Sequence, residues 1–254
     1  MQLKNNYYYF TSAISNDMCK KIINLGKTTI DENKRLGRDV RGNTFDNLEK
    51  QDNIQKKSTE LNTMSDLMKS KDDNIKDNYF IRDSEISWLT DQWLYDLILP
   101  FVKEANNLAH WKFDIECFEN FQFTVYNSPG GFYGWHKDGG SDHFAKYKRH
   151  IDGITSLRSD GKIKSDYIEN DEIIIGKVRK LSLTLNLSDP NEYEGGNLMF
   201  DFGKHTYPEF YECKEIRPKG SLVVFPSFMP HCVTPVTKGI RKSLVLWCLG
   251  KPFR

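Results

Sequence analysis

Residues 180–187 read KLSLTLNL, with Leu181, Leu183, Leu185 and Leu187 on alternate positions and Ser182, Thr184 and Asn186 between them. Successive side chains of a strand point to opposite faces of a sheet. An alternation held over eight residues therefore predicts a β-strand with one apolar and one polar face. Working outward, FQFTVY (121–126) alternates in the same way. NLMFDF (197–202), SLVVFP (221–226), HCVTPV (231–236) and RKSLVLWCL (241–249) are further short runs, separated by Gly, Pro and charged residues. Several short strands in succession predict a sandwich or barrel. Polar positions on a face that should turn inward predict a barrel with a working interior.

The N-terminal part reads differently. SNDMCKKIINLG (15–26) predicts a short helix capped by Ser15 or Asn16 and ended by Gly26. Residues 31–78 are rich in Asn, Asp, Lys and Glu and predict loops, with a helix around 56–69. SWLTDQWLYDLILPFVKEANNLAHW (87–111) predicts helix, split or kinked at Pro100. The fold class expected is mainly β with flanking helices (α+β), as one domain over 1–254. In it, residues 1–118 support a core at 119–250, and a polar insertion at 139–172 interrupts that core. The insertion is too long for an ordinary connection, which predicts a lid over a site or a disordered segment.

Composition excludes several classes. The net charge is +1 and there is no long basic run, so no nucleic-acid partner is expected. No segment approaches the ~20 apolar residues of a membrane span. The opening MQLKNNYYYF lacks the apolar stretch of a signal peptide, so the expected location is cytoplasmic. Cys19, Cys117, Cys213, Cys232 and Cys248 are odd in number and form no C-x-x-C. They are expected as free, buried, small apolar side chains rather than as a disulfide or zinc framework.

GFYGWHKDGG (131–140) places His136 and Asp138 two apart, so that an extended chain presents both to one point. A second copy, His150 and Asp152 in KRHIDG, lies among Lys and Arg with no strand pattern before it and is expected as solvated surface. Downstream, His231 supplies a third ligand. Two imidazoles and one carboxylate with open positions form the facial triad of non-haem Fe(II) oxygenases. If TPVTKG turns the chain near 236–239, the strand from Ile240 runs back beside 231–235, and Arg241 lies across from Thr234. That register puts it about 10 Å from His231, the span of a small dicarboxylate with one end on the metal and the other on a guanidinium fork. Parity puts Arg241, Ser243, Val245 and Trp247 on one face and points Lys242 away.

On these residues the chain from about 119 to 250 resembles the Fe(II)/2-oxoglutarate-dependent oxygenases of the prolyl 4-hydroxylase type, including bacterial and phage members. The carrying segments are FQFTVYNSPGGFYGWHKD, RKLSLTLNLSDPNEYEGGNLMF and KGSLVVFPSFMPHCVTPVTKGIRKSLVLW. The resemblance implies a double-stranded β-helix (jelly-roll) core. It implies His136, Asp138 and His231 as iron ligands and Arg241 as the partner of the distal carboxylate of 2-oxoglutarate. It implies Tyr126, Asn186 and Ser243 as residues beside that co-substrate. It implies Fe(II), 2-oxoglutarate and O2 as cofactors, with ascorbate as reductant. The expected products are succinate, CO2 and a hydroxylated C–H. IRDSEISWL (81–89) resembles the Arg-x-Ser segment flanking the peptide groove of such enzymes, which makes Arg82, Ser84, Tyr133 and Trp247 substrate-side candidates. A peptide or protein substrate, most simply a peptidyl proline, is implied.

Other implications narrow the chemistry. Halogenating relatives lack the carboxylate that Asp138 provides, and AlkB-type repair enzymes carry an Arg where Trp247 stands. Two alternatives stay open at this point. One is a hydroxylase of a free amino acid or other small molecule. The other is a cupin-like or non-catalytic jelly roll, in which Arg241 has no role. The sequence carries no signal for the oligomeric state.

Overall fold

The computed structural model describes residues 3–42, 82–139, 177–203 and 210–253. The helix expected at 56–69, the His150–Asp152 pair and nearly all of the 139–172 insertion lie outside the described residues. Among the described residues, thirteen strands and two α-helices follow in chain order. They are β1 (Tyr8–Phe10), α1 (Asn16–Arg35), β2 (Arg82–Asp83), β3 (Glu85–Leu89), α2 (Gln92–Leu108), β4 (Cys117–Phe118), β5 (Phe121–Asn127) and β6 (Phe132–His136). Beyond residue 176 come β7 (Val178–Asn186), β8 (Tyr193–Gly195), β9 (Leu198–Asp201), β10 (Phe210–Glu212), β11 (Leu222–Pro226), β12 (His231–Val233) and β13 (Val236–Gly250).

The strands form two antiparallel sheets. The larger runs β1-β11-β7-β13-β5-β3, with β4 and β8 also pairing to β13, and the smaller runs β10-β9-β12-β6-β2. The alternation read from the sequence sorts the larger sheet's two faces. Leu181, Leu183, Leu185 and Leu187 join Phe121, Phe123, Val125, Leu244 and Leu246 in a core shared with both helices. Gln122, Tyr126, Thr184, Arg241, Ser243, Val245 and Trp247 turn the other way, toward the smaller sheet. The helices therefore cover the outside of the larger sheet, and a polar interior lies between the two sheets.

Several local expectations are corrected. Helix α1 starts as read, with the Ser15 hydroxyl accepting from the Met18 N–H, but it continues through Gly26 to Arg35. Gly26 marks a close approach rather than an end, since a methyl there would overlap the Phe123 ring. The Ser87 hydroxyl donates to the Gly26 carbonyl at 3.0 Å, fixing the helix on β3. The apolar run from 87 onward is not all helix. Glu85–Leu89 pairs with β5, Glu85 opposite Val125 and Leu89 opposite Phe121, and α2 begins only at Gln92. Pro100 neither splits nor ends α2.

The expected hairpin between β12 and β13 is also absent. β12 belongs to the smaller sheet and β13 to the larger, where Arg241 faces Tyr126 rather than Thr234. Thr234 instead exchanges hydrogen bonds with Asn197, and the chain then crosses between the sheets. All five cysteines are buried. No helix among the described residues is long and apolar enough to cross a membrane.

Candidate active site

His136 ends β6 and His231 begins β12, and these two residues are direct partners across the ladder of the smaller sheet. Their rings lie 4.2 Å apart between centroids. Asp138 follows His136 by two and reaches back between them, its Oδ1 3.5 Å from His136 Nε2 and its Oδ2 3.5 Å from His231 Nε2. One ligand atom from each of the three lies within 4.8 Å of the others. All three side chains are buried.

The tautomers suit a metal. His136 Nδ1 lies 2.8 Å from the Gly134 carbonyl and His231 Nδ1 2.9 Å from the Met229 carbonyl. A carbonyl only accepts, so each Nδ1 carries the proton and each Nε2 presents a lone pair to the common point. Burial, helped by neighbouring His136, pushes the His231 imidazole down to about 4. It is thus neutral and ready to ligate at pH 7. Burial opposes the charge on Asp138, yet His231, His136 and Arg179 outweigh it and hold the carboxyl well below the usual range. Two imidazoles and one carboxylate, all aimed at one point, fit a divalent iron with positions left open.

Arg241 lies at 2% exposure on the inner face of β13. It shares one pocket with the triad, Tyr126, Ser243, Val245 and Trp247. The parity read from the sequence therefore holds, although the hairpin used to span the distance does not. Its guanidinium sits 5.4 Å over the Tyr126 ring, and its Nη1 is buried with no hydrogen-bond partner among the described residues. Native proteins rarely leave a buried donor orphaned, and a charged one is costlier still. An anionic partner is the natural complement.

The structure does not bring Asn186 into this group. Its amide donates to the Ser188 and Arg217 carbonyls at 3.0 and 2.7 Å, which ties two loops together instead of facing the pocket.

The substrate-side candidates do converge. The Tyr133 ring stacks on His136 with centroids 3.6 Å apart, and burial pushes its phenol up to about 12. Arg82 lies 4.7 Å over the Tyr133 ring and donates to Ser84 Oγ at 2.8 Å and Gln122 Oε1 at 2.8 Å. Ser84 thus orients Arg82 rather than standing free. Trp247 lies under the Arg179 guanidinium at 4.0 Å and beside Trp88, with ring centroids 6.1 Å apart.

Sequence reasoning missed Gln122, Arg179 and Glu119. The first was available from parity with Tyr126. The other two form a fork, Arg179 Nε to Glu119 Oε1 at 2.6 Å and Nη2 to Oε2 at 2.7 Å, between residues 60 positions apart. A bulge between Cys248 and Leu249 shifts the register beside Arg179, so strand parity gives no hint of it.

Comparison with known proteins agrees with this geometry. The PKHD-type hydroxylase YbiX of Escherichia coli is 36% identical over 104 residues, 40% of this chain. That match spans 36% of the relative's own length, about a third of it. Two solved structures share the fold at 17% identity. The viral collagen prolyl hydroxylase of Paramecium bursaria Chlorella virus-1 has a TM-score of 0.52 over 97% of each chain. A Pseudomonas putida prolyl-4-hydroxylase has a TM-score of 0.53 over 96% of this chain and 93% of its own. The sequence pattern of the 2OG-Fe(II) oxygenase superfamily matches residues 121–249, which run from the first residue of β5 to the penultimate residue of β13 and include the triad and its arginine, and the chain belongs to that superfamily.

Proposed function

We propose that this protein is an Fe(II)- and 2-oxoglutarate-dependent dioxygenase that hydroxylates an unactivated C–H of a peptide, most simply at proline. The supporting observation is a buried His136–Asp138–His231 cluster sharing one pocket with an arginine whose Nη1 has no hydrogen-bond partner among the described residues. His136, Asp138 and His231 would hold the iron. Arg241, with Tyr126 and Ser243 beside it, would take the distal carboxylate of 2-oxoglutarate. Bound there, iron with 2-oxoglutarate and O2 supplies the oxidising chemistry that the side chains lack.

The protein's own part is positioning. The Gly134 and Met229 carbonyls fix the imidazoles. Phe225 and Phe200 flank His231, with ring centroids at 4.7 and 6.4 Å, and keep water from that side. Tyr133, Trp247 and Arg82 line the opening with two aromatic surfaces and a guanidinium. Such a set suits an extended, proline-containing chain, which offers flat apolar rings and free carbonyl acceptors.

The test assays proline-rich peptides and free proline side by side, with succinate release and a 16-dalton mass gain as readouts. The expected result is turnover of peptide, lost in His136→Ala, Asp138→Ala and His231→Ala. Hydroxylation of the free amino acid alone would overturn the peptide assignment. Full turnover in the three variants would overturn the metal site.

A further inference from the structure

Arg241 and Leu198 line two cavities, and only one of these holds the triad. The other lies behind them and measures about 460 Å³. That is within the roughly 300–1,000 Å³ that commonly holds small molecules. Its wall is the turn after β8, where Gly195 and Gly196 adopt φ of 71° and 60°. The absence of a side chain at Gly196 leaves room for Arg241, since a Cβ would stand 2.9 Å from the arginine Cδ.

A second arginine builds this cavity. Arg217 donates from Nη1 to the Gly195 carbonyl at 2.7 Å and to Asn197 Oδ1 at 2.8 Å, and from Nη2 to the Tyr193 carbonyl at 2.8 Å. Its guanidinium lies 4.1 Å over the Tyr193 ring. A guanidinium has five N–H donors. Three are spent, and Nε–H and one Nη2–H have no partner among the described residues. All three acceptors are neutral, so the charge is held in place without being cancelled. Lys214 stands exposed on the same rim. Two carboxylates also line the cavity, Glu194 and Glu212. Lys238 engages Glu194 at 3.1 Å. With Arg217, Lys214 and Arg241 against Glu212, the lining is left cationic among the described residues.

We propose that this rear cavity is a second binding site, for a small dicarboxylate, held by Arg217 and Lys214 and coupled to the co-substrate through Arg241. The planar fork of a guanidinium matches a carboxylate. A four- or five-carbon diacid leaves its second carboxylate within the same positive lining. Because the wall is shared, an occupant behind Arg241 competes for its charge with the distal carboxylate in front. Each ligand therefore weakens the other, by the same factor in both directions. The coupling rests on the function proposed above, whereas the cavity and its cations do not.

The test uses the full chain with Fe(II) and 2-oxoglutarate under anaerobic conditions, whose visible charge-transfer band reports the front site. Succinate is added as probe and followed by saturation-transfer NMR. The expected result is a succinate signal while the band persists, with affinity reduced about 10-fold, the loss of one charged hydrogen bond, in Arg217→Gln and in Lys214→Glu. Lys214 is exposed, so its variant keeps the test independent of any misfolding at Arg217.

Succinate that abolishes the band completely, with no limit to the loss of 2-oxoglutarate affinity as succinate rises, means one shared site and overturns the proposal, whereas coupling between two sites weakens 2-oxoglutarate only to a finite limit. Unchanged affinity in Lys214→Glu overturns it too, and inorganic phosphate binding as tightly as succinate overturns the dicarboxylate assignment. If no band forms at all, the iron and 2-oxoglutarate reading fails instead. The same Lys214→Glu comparison on metal-free protein then decides the rear site by itself.

Discussion

Replacing Arg241 by Met should move two measurements in opposite directions. Arg241 is 2% exposed, and its Nη1 has no partner among the described residues. In the ligand-free protein Nη1 therefore carries a desolvation cost that no hydrogen bond from the described residues offsets. Methionine fills similar volume without charge, so its introduction should leave thermal stability unchanged or raise it by about 1–3 kcal/mol, the cost of a buried unsatisfied group. Binding of 2-oxoglutarate should suffer the reverse. Loss of a charged hydrogen bond costs about 1.5–3 kcal/mol, which is roughly a 10- to 150-fold weaker Kd. Anaerobic titration of the Fe(II) complex, followed by its visible absorption, gives the affinity, and a thermal melt of the metal-free protein gives the stability. Lys242, one residue on and half-buried on the opposite face, is the comparator, and Lys242→Met should leave the affinity within about twofold. Equal losses from the two variants, or a destabilised Arg241→Met with normal affinity, would refute the placement of Arg241 as the carboxylate anchor.

Other expectations follow from the same contacts. Glu119→Gln strands Arg179, whose side chain is 18% exposed, and should cost about 3–5 kcal/mol in urea unfolding, much of it recovered by adding Arg179→Met. Gly26→Ala should cost about 1–3 kcal/mol by overpacking against Phe123; an additive double-mutant cycle with Phe123→Leu would rule out that contact as the cause. In metal-free protein, His231 titrates near 4 folded and near ~6.5 unfolded. The unfolded chain takes up the proton first, so the stability tied to neutral His231 is complete above ~6.5 and lost as pH falls toward 4, by at most about 3 kcal/mol. Denaturation of wild type and His231→Leu across that range should show a shallower slope in the variant, and equal slopes would contradict the assignment.

What the sequence made legible was whatever strand parity or close spacing carries. His136 and Asp138 lie two apart, and Arg241, Ser243, Val245 and Trp247 alternate with core leucines, so their shared face needed no knowledge of which strands pair. Pairing itself was less accessible. The β12–β13 hairpin looked plausible because a Gly-containing turn separates two strand-like runs, yet the Thr234–Asn197 bonds carry β12 into the other sheet. Gly26 and Trp88 were misread for one reason, since both owe their conformation to β5, a partner nearly a hundred residues away in one case. Helical spacing around Trp88 continues into α2, and only pairing with Gln122 makes that residue a strand. The Arg179–Glu119 fork and the Asn186 amide clamp depend on contacts that no local pattern encodes.

The carbonyls of Gly134 and Met229 have a consequence for metal choice. They lock both imidazoles with Nε2 lone pairs facing Asp138 before any ion arrives, so entry of a cation requires almost no reorganisation of the protein. A vice already closed to the right width does not inspect what enters it. Nitrogen and oxygen donors favour cobalt, nickel, copper and zinc over ferrous iron, and nothing in this rigid arrangement reverses that order. The protein therefore depends on its surroundings to offer iron first, and traces of nickel, copper or zinc should act as tight, slowly reversed poisons of the iron-loaded form.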